Sequence, residues 1–266
     1  GEFLYGKKIS QNENYNLVFN SIDVSKFMIP KENENRDDWA NVLQVGRFTK
    51  VKNQLFSVEI AKEFKKMNKK VRILCVGNNG NEYEQEVKNK ISEYGVSEYI
   101  QLLGVRKDIA AIMAKCKAFL LPSLYEGMPL VLLEAQAAGL NCVVADTFSH
   151  EADFGIGLIK WLSLDCDSKE WADKIAEAIN SESADNTTIM NAIKKYGFDT
   201  KTITEDIEFT TDNENAIDTS LGSLIGFSRH YSELWIVNSF VKNYIAKKLS
   251  EFREKYRNDH FYKDNT

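Results

Sequence analysis

FLLPSLYEGMPLVLLEAQAAGLNCVVAD, Phe119 to Asp146, is the stretch on which the fold turns. Two short apolar runs bracket a loop and an apolar, helix-compatible segment, the punctuation of a strand, a crossover helix and a second parallel strand. Inside it, EGMPLVLLEAQAAGL, Glu126 to Leu140, sets a carboxylate on the loop, then a glycine and a proline, then a second carboxylate within the helix. Pro129 suits the first helical turn, where its missing N–H costs nothing, so the helix is expected to start there and to present free backbone N–H groups. Such an end attracts phosphate. Glu134 then stands roughly 7 Å along the axis at about 1.5 Å per residue, comparable with the reach from a diphosphate to its ribose. Glu126 stays on the loop, nearer a terminal sugar.

Outward from this block, between Asn41 and Val144, the runs VLQVG, VRILCVG, YIQLLG, AFLLPS and CVVAD alternate with amphipathic stretches. Runs this apolar fit a parallel sheet covered on both faces. The expected fold class is therefore α/β, a doubly wound parallel sheet with ligand at the C-terminal strand ends, in the βα loops. In the first interval, Asn53 to Met67, Leu55, Val58, Ile60, Ala61 and Phe64 fall near one helix face and the lysines cluster late, as suits a helix C-terminus. GLIKWLSL, Gly157 to Leu164, reads as a sixth strand, and SKEWADKIAEAIN after it as a helix capped by Ser168. A last helix pair is expected over Asp185 to Phe209.

A chain of 266 residues holds one core of about 150 to 200 residues and an appendage. With 43% hydrophobic residues, 27% charged residues and a formal net charge of −5, it reads as a soluble globular protein without a basic field for nucleic acid. Cys75, Cys116, Cys142 and Cys166 occur singly and never as C-x-x-C, so they are expected to be reduced, mostly buried thiols rather than zinc ligands or a disulfide framework. No apolar run reaches the roughly 18 residues that cross a bilayer and no signal peptide opens the chain. The expected compartment is the cytoplasm.

Three further loops carry chemistry. VGRFTKVKN, Val45 to Asn53, puts Arg47 directly after the first strand and Lys52 near the start of the next helix. A planar fork and a mobile point charge there would grip one diphosphate and offset the charge that builds on it as it departs. VGNNGNEYEQ, Val76 to Gln85, is a turn in which Gly77 and Gly80 either admit a ligand to the backbone or supply the positive φ of an ordinary βα turn. LLGVRKDIAAIMAKC, Leu102 to Cys116, places Val105 and Arg106 after the third strand and Asp108 as the cap of the following helix.

These residues resemble the family 4 retaining glycosyltransferases, whose GT-B fold faces two Rossmann-like domains. Glu126 to Glu134 matches that family's E-x7-E and Gly46 to Asn53 its G-R-x4-K-N, Val76 to Gln85 resembles its G-x-G-x-E, and the Phe119 to Asp146 block is similar to bacterial exopolysaccharide and capsule enzymes. The resemblance implies that Arg47, Lys52 and Glu126 act in catalysis. It also implies that Gly46, Gly77, Gly80, Val105, Arg106, Gly127, Met128, Pro129, Leu130, Val131 and Glu134 bind the donor nucleotide sugar, with Val105 and Arg106 at the base. It implies a hexosyl transfer from a nucleotide sugar, most naturally UDP-linked, to a saccharide or lipid-linked acceptor with retention. Neither metal nor other cofactor is expected.

LVFNSIDVSKF contains Asn20 to Phe27, similar to the family hinge N-G-I-D-x-x-x-F with Ser21 where glycine is common. On that alignment residues 1–35 are the hinge and the end of an N-terminal acceptor domain that the chain lacks, residues 36–209 the nucleotide-sugar domain, and residues 210–266 a linker and amphipathic tail. In the tail Leu234, Val237, Val241, Ile245, Leu249, Phe252 and Tyr256 recur at steps of three and four, a helix that packs on its own domain, on a second copy, or peripherally on the inner face of the plasma membrane through its lysines and arginines. D-x-D at Asp165 to Asp167 follows a predicted strand and precedes a helix cap, so it is not read as a metal site; His150 is read as structural or solvated, and His230 and His260 are assigned no role. Two other readings share much of this pattern: a nucleotide-binding module without catalysis, and a nucleotide-sugar epimerase or glycogen-type phosphorylase of similar two-domain shape. A dinucleotide dehydrogenase lacks support, because no strand is followed by G-x-G-x-x-G with an acidic residue about twenty on.

Overall fold

A computed structural model describes residues 21–29, 38–78 and 80–199. Six strands, β1 (Ala40–Val45), β2 (Val71–Val76), β3 (Ile100–Gly104), β4 (Ala118–Leu121), β5 (Asn141–Ala145) and β6 (Ile159–Leu162), form one parallel sheet in the order β3-β2-β1-β4-β5-β6. The helices between and after them are α1 (Gln54–Lys66), α2 (Glu82–Tyr94), α3 (Ile109–Ala114), α4 (Leu130–Ala137), α5 (Ser168–Asn180) and α6 (Asn186–Tyr196). This is the doubly wound α/β fold expected from the sequence.

Period-two alternation explains why both faces are covered. On β4, Ala118 and Leu120 point into one core and Phe119 and Leu121 into the other; β5 splits likewise into Val143 and Ala145 against Cys142 and Val144. The first core is closed by Val58, Ala61 and Phe64 of α1, Val87 and Ile91 of α2, and Trp171 and Ile175 of α5. The second is closed by Met113 of α3, Leu132 and Leu133 of α4, and Ile189 and Ile193 of α6. The segment over residues 21–29 joins this second core: Ile22 and Val24 are buried in it, and Ile22 N–H donates to the Phe198 carbonyl at 2.9 Å, beside a parallel bridge from Ile22 to Asp199. Cys75, Cys116 and Cys142 are buried free thiols and Cys166 is half-buried; burial pushes the Cys75 and Cys116 thiols up to about 12.

Three local expectations are corrected. Helix α4 begins one residue later than expected, because Pro129 has an extended ψ of 103° and serves as N-cap rather than first helical residue. The cap of α5 is Asp167, whose carboxylate accepts from Glu170 N–H at 2.8 Å, and Ser168 is the first helical residue. Asp108 precedes α3 but makes no side-chain cap, since its carboxylate is taken by the Arg106 fork. Of the helix pair expected from Asp185, the first member runs to Tyr196 and stops at Gly197 in the left-handed conformation, and the second falls on residues outside those described. The whole tail reading lies outside them as well.

The sheet order reverses between β1 and β4, which pair through Val42 with Ala118 and Leu43 with Phe119. In open α/β sheets this switch point leaves a crevice at the carboxyl ends of the strands. Gly77, after β2, walls one side of it by close approach: a Cβ there would lie 2.0 Å from the Gly46 carbonyl oxygen, and its φ is 135°. Gly77 is thus required by the packing of two βα turns on each other. Gly127, by contrast, has open space around the Cβ position. Gly77→Ala is expected to destabilise the fold by about 3 kcal/mol or more, with Gly127→Ala within about 1 kcal/mol; denaturant melts of the two variants check this.

Candidate functional site

The loops that leave β1 and β4 meet in the crevice. The first, Gly46 to Asn53, ends in a short 3-10 turn at Lys50–Lys52 and in Asn53, which adopts a left-handed φ of 56°. That conformation suits asparagine better than most side chains, and it lets Asn53 Nδ2 donate to the Pro122 carbonyl at 3.0 Å. Leu124 N–H donates back to the Val51 carbonyl at 2.8 Å. The two loops are stitched by neutral hydrogen bonds to main-chain carbonyls before any charge is considered.

Across the stitch, Lys52 Nζ donates to Glu126 Oε1 at 2.5 Å, with side chains 23% and 11% exposed. These residues were expected to serve different parts of one donor, and the structure brings them into direct contact. Gly46 makes room for this lysine: its Cβ position lies 3.1 Å from Lys52 Cδ, so the aliphatic stem lies along bare main chain. Arg47 is exposed, and its guanidinium makes no ion pair among the described residues. A partly desolvated lysine with an anionic partner and a neighbouring free guanidinium make a site with net positive charge open to an anion.

Helix α4 supplies the other wall. Pro129 is buried and Met128, Leu130, Val131 and Glu134 are half-buried, while Gly127 is exposed. Leu132 N–H bonds back to the Pro129 carbonyl at 2.9 Å. The N–H groups of Leu130 and Val131 find no acceptor among the described residues, as first-turn donors do unless a ligand or water supplies one. Glu134 sits one turn further along, and its carboxylate has neither ion pair nor hydrogen bond among the described residues. Burial pushes its carboxyl above the ordinary value. A half-buried carboxylate without a partner is an acceptor awaiting donors, which vicinal hydroxyls provide.

The remaining expected residues lie on the flanking loops. Gly80, with φ of 61°, donates its N–H to Glu84 Oε2 at 3.0 Å and leads into α2, whose cap is Asn81 accepting from Glu84 N–H. Val105 is 72% exposed after β3. Arg106 is clamped bidentately on Asp108, at 2.8 and 2.6 Å, and this fork holds the Asp108 carboxyl at about 2. The fork takes two of the five guanidinium N–H donors and leaves three for a ligand. After β5, Thr147 Oγ1 donates to the Ser123 carbonyl at 2.8 Å, tying that loop to the one carrying Glu126. His150 stacks on Trp161 at 3.8 Å and meets Asp146 at 2.7 Å, a structural setting as expected. Asp167 of D-x-D is spent as a helix cap. Among the described residues no group of three or more His, Cys, Asp or Glu is placed to hold a metal ion, and no helix is long and apolar enough to cross a membrane.

Sequence reasoning missed Gln44 and Gln54, whose buried amides hold the carbonyls of Lys52 and Arg47 at 2.8 and 3.0 Å. For Gln44 a signal existed, a polar residue in the middle of the apolar run VLQV.

Comparison with known proteins gives the family and the fold. Residues 25–195 match the family Glycosyl transferases group 1, and the chain belongs to that family. It is 31% identical over 211 residues to EpsF of Bacillus subtilis (strain 168), covering 75% of this chain and 53% of EpsF. Over 103 residues, 38% of this chain and 27% of the relative, it is 38% identical to the UDP-Gal:alpha-D-GlcNAc-diphosphoundecaprenol alpha-1,3-galactosyltransferase of Escherichia coli. The crystal structure of Anabaena Alr3699/HepE in complex with UDP and glucose superposes with a TM-score of 0.61 at 21% identity, over 74% of this chain and 56% of HepE. The chain thus spans about half of EpsF and of HepE. Its fold is that of the C-terminal, Rossmann-like half of a GT-B glycosyltransferase.

Two outcomes follow from the charges. In a double-mutant cycle on thermal or denaturant stability, Lys52→Met and Glu126→Gln are expected to couple by about 1 kcal/mol or more, as hydrogen-bonded charge pairs do; additive losses would mean that the pair contributes nothing to stability. For Glu134 the folded value is raised, so its contribution to stability is fully present below the unfolded-chain value of about 4.3 and is lost as pH rises through the folded value. Glu134→Gln should therefore raise the melting temperature at pH 7, and the gain should vanish at about pH 4.

Proposed function

We propose that this chain is the donor-binding half of a retaining glycosyltransferase that moves a hexosyl unit from a UDP-linked sugar to a hydroxyl on a growing polysaccharide or lipid-linked acceptor. The observation that carries this reading is the switch-point cleft. One cation-bearing loop, one carboxylate-bearing loop and the open end of α4 converge there, with Lys52 on Glu126 at 2.5 Å and Glu134 unpartnered one turn into the helix. HepE, of the same fold, is described in complex with UDP and glucose. The Escherichia coli relative, by its name, uses UDP-Gal and a diphosphoundecaprenol-linked acceptor, which supports both the base and the acceptor class.

In this reading the leaving diphosphate lies between Arg47, Lys52 and the free N–H groups of Leu130 and Val131. Negative charge grows on the diphosphate as the glycosidic bond breaks, so a guanidinium, an ammonium and a helix end that are already in place favour the transition state over the ground state. Glu134 accepts hydrogen bonds from the ribose hydroxyls. Glu126 orients the donor sugar while its charge is balanced by Lys52, so that one ammonium bridges sugar-binding and phosphate-binding parts of the site. Gly46, Gly77 and Gly80 shape the wall that the donor lies against, and Gly127, Met128 and Pro129 present α4 to it. Val105 and the Arg106 loop lie at the base. The acceptor site belongs to an N-terminal domain, and the enzyme works in the cytoplasm.

On this basis the 266-residue chain should bind UDP in calorimetric titration, in preference to GDP and NAD and equally with EDTA present, and should transfer little or no sugar by itself. Arg47→Ala should lower UDP affinity about tenfold, as loss of a charge-assisted contact does, and leave uridine within about twofold. Equal losses for UDP and uridine would sink the phosphate assignment. Glu134→Ala should weaken uridine and UDP alike.

A further inference from the structure

We infer that Gln44 and Gln54 are positioning residues, two buried amides that fix the main chain of Lys52 and Arg47 and thereby set where both cations meet the diphosphate. The inference rests on the reading of Arg47 and Lys52 as the phosphate-binding pair. Each glutamine holds the carbonyl of one of the two residues that carry the cations. Gln44 Nε2 donates to the Lys52 carbonyl at 2.8 Å, and Gln54 Nε2 to the Arg47 carbonyl at 3.0 Å. Because the acceptors are carbonyls, only the amide nitrogens can face them, and the orientation of both side chains is unambiguous.

The two amides are costly places to put polarity. Gln44 lies in the central strand β1 and is 2% exposed; Gln54 opens α1 and is 1% exposed. Around Gln44 the amide oxygen is also used, since Oε1 accepts from Ser57 Oγ on α1 at 2.8 Å and from Cys75 Sγ on β2 at 3.5 Å. The Lys52 turn is thereby braced against three elements of the rigid core. Gln54 is different, because its Oε1 has no partner among the described residues. An apolar side chain of similar length would fill the same space and avoid burying an unpaired acceptor. The one thing the Gln54 amide supplies is a donor on the Arg47 carbonyl.

Arginine and lysine side chains are long and lose much rotamer freedom when they grip a ligand. A fixed root for each chain reduces what must be ordered on binding, and a site held to within about half an ångström depends on such supports. A shift at the root of Arg47 would be felt at the phosphates and not at the base or ribose, which are held from β3 and α4. Selectivity for phosphate is therefore what distinguishes a positioning role from a general contribution to folding.

The test is calorimetric titration of the 266-residue chain and its Gln54→Met and Gln44→Met variants with UDP and with uridine, repeated in Arg47→Ala and Lys52→Ala backgrounds. Gln54→Met should weaken UDP about fivefold, the worth of one hydrogen bond, keep uridine within about twofold, and add no further loss once Arg47 is alanine. Gln44→Met should behave in the same way against Lys52→Ala. Equal losses for UDP and uridine, an unchanged UDP affinity, or an undiminished loss in the alanine backgrounds would overturn the inference. Should Gln44→Met fail to fold, Gln54→Met carries the test alone, since it removes an unpaired oxygen along with one donor. UDP binding that depends on Arg47 but not on Gln54 overturns this inference and leaves the donor-site reading standing; wild-type chain that binds neither UDP nor uridine overturns both.

Discussion

The pairing of β1 with β4 is the constraint on which the rest depends. These strands are neighbours in the sheet, and only because they are does Lys52 meet Glu126, 74 residues away in the chain. The loops between them are joined first by neutral bonds, Asn53 to Pro122 and Leu124 to Val51, so the charges are held by a frame that does not depend on them. Partly buried charges are tolerable in such a place because each is the other's partner, and desolvation that would disfavour either alone is offset by their proximity. A ligand entering the crevice meets groups whose positions are already settled.

Two carboxylates in one cleft have been given opposite surroundings. Glu126 faces an ammonium, whereas Glu134 is half-buried with no protein partner and is held above the ordinary carboxylate range by desolvation. The first is stabilised by the fold and the second is borne by it. That asymmetry is the usual mark of a site in which stability has been given up locally for binding. Family membership bears on the class of protein and the likeness to HepE on the fold; the contrast between the two carboxylates comes from burial and contact.

The local corrections share a cause. Asp167 and not Ser168 caps α5, and Asp108 abandons a cap for Arg106, because capping is decided by which of two adjacent polar residues has extended backbone and which charge lies nearer. Pro129 stands one position outside α4 because its own backbone is extended, with ψ of 103°. Each choice costs or gains about 1 kcal/mol, too little to be read from a string of residue types. Gly77 is the reverse case. Its glycine was legible as a turn, but its reason, a Cβ position 2.0 Å from the Gly46 carbonyl, belongs to two loops distant in sequence.

The amino-acid sequence by itself determined the number of strands in the sheet, its parallel and doubly buried character, the placing of Arg47, Lys52 and Glu126 on βα loops and of Glu134 within the helix that follows, and the family. All of these are written in hydrophobic period and local spacing, which act over a few residues. The tertiary structure alone decided which loops adjoin, and with them the Lys52 to Glu126 contact, the solitary state of Glu134 and the two glutamine amides beneath the cations. Those depend on strand order and on the burial it creates, and neither burial nor the distance between residues far apart in the chain is a property of any short stretch of sequence.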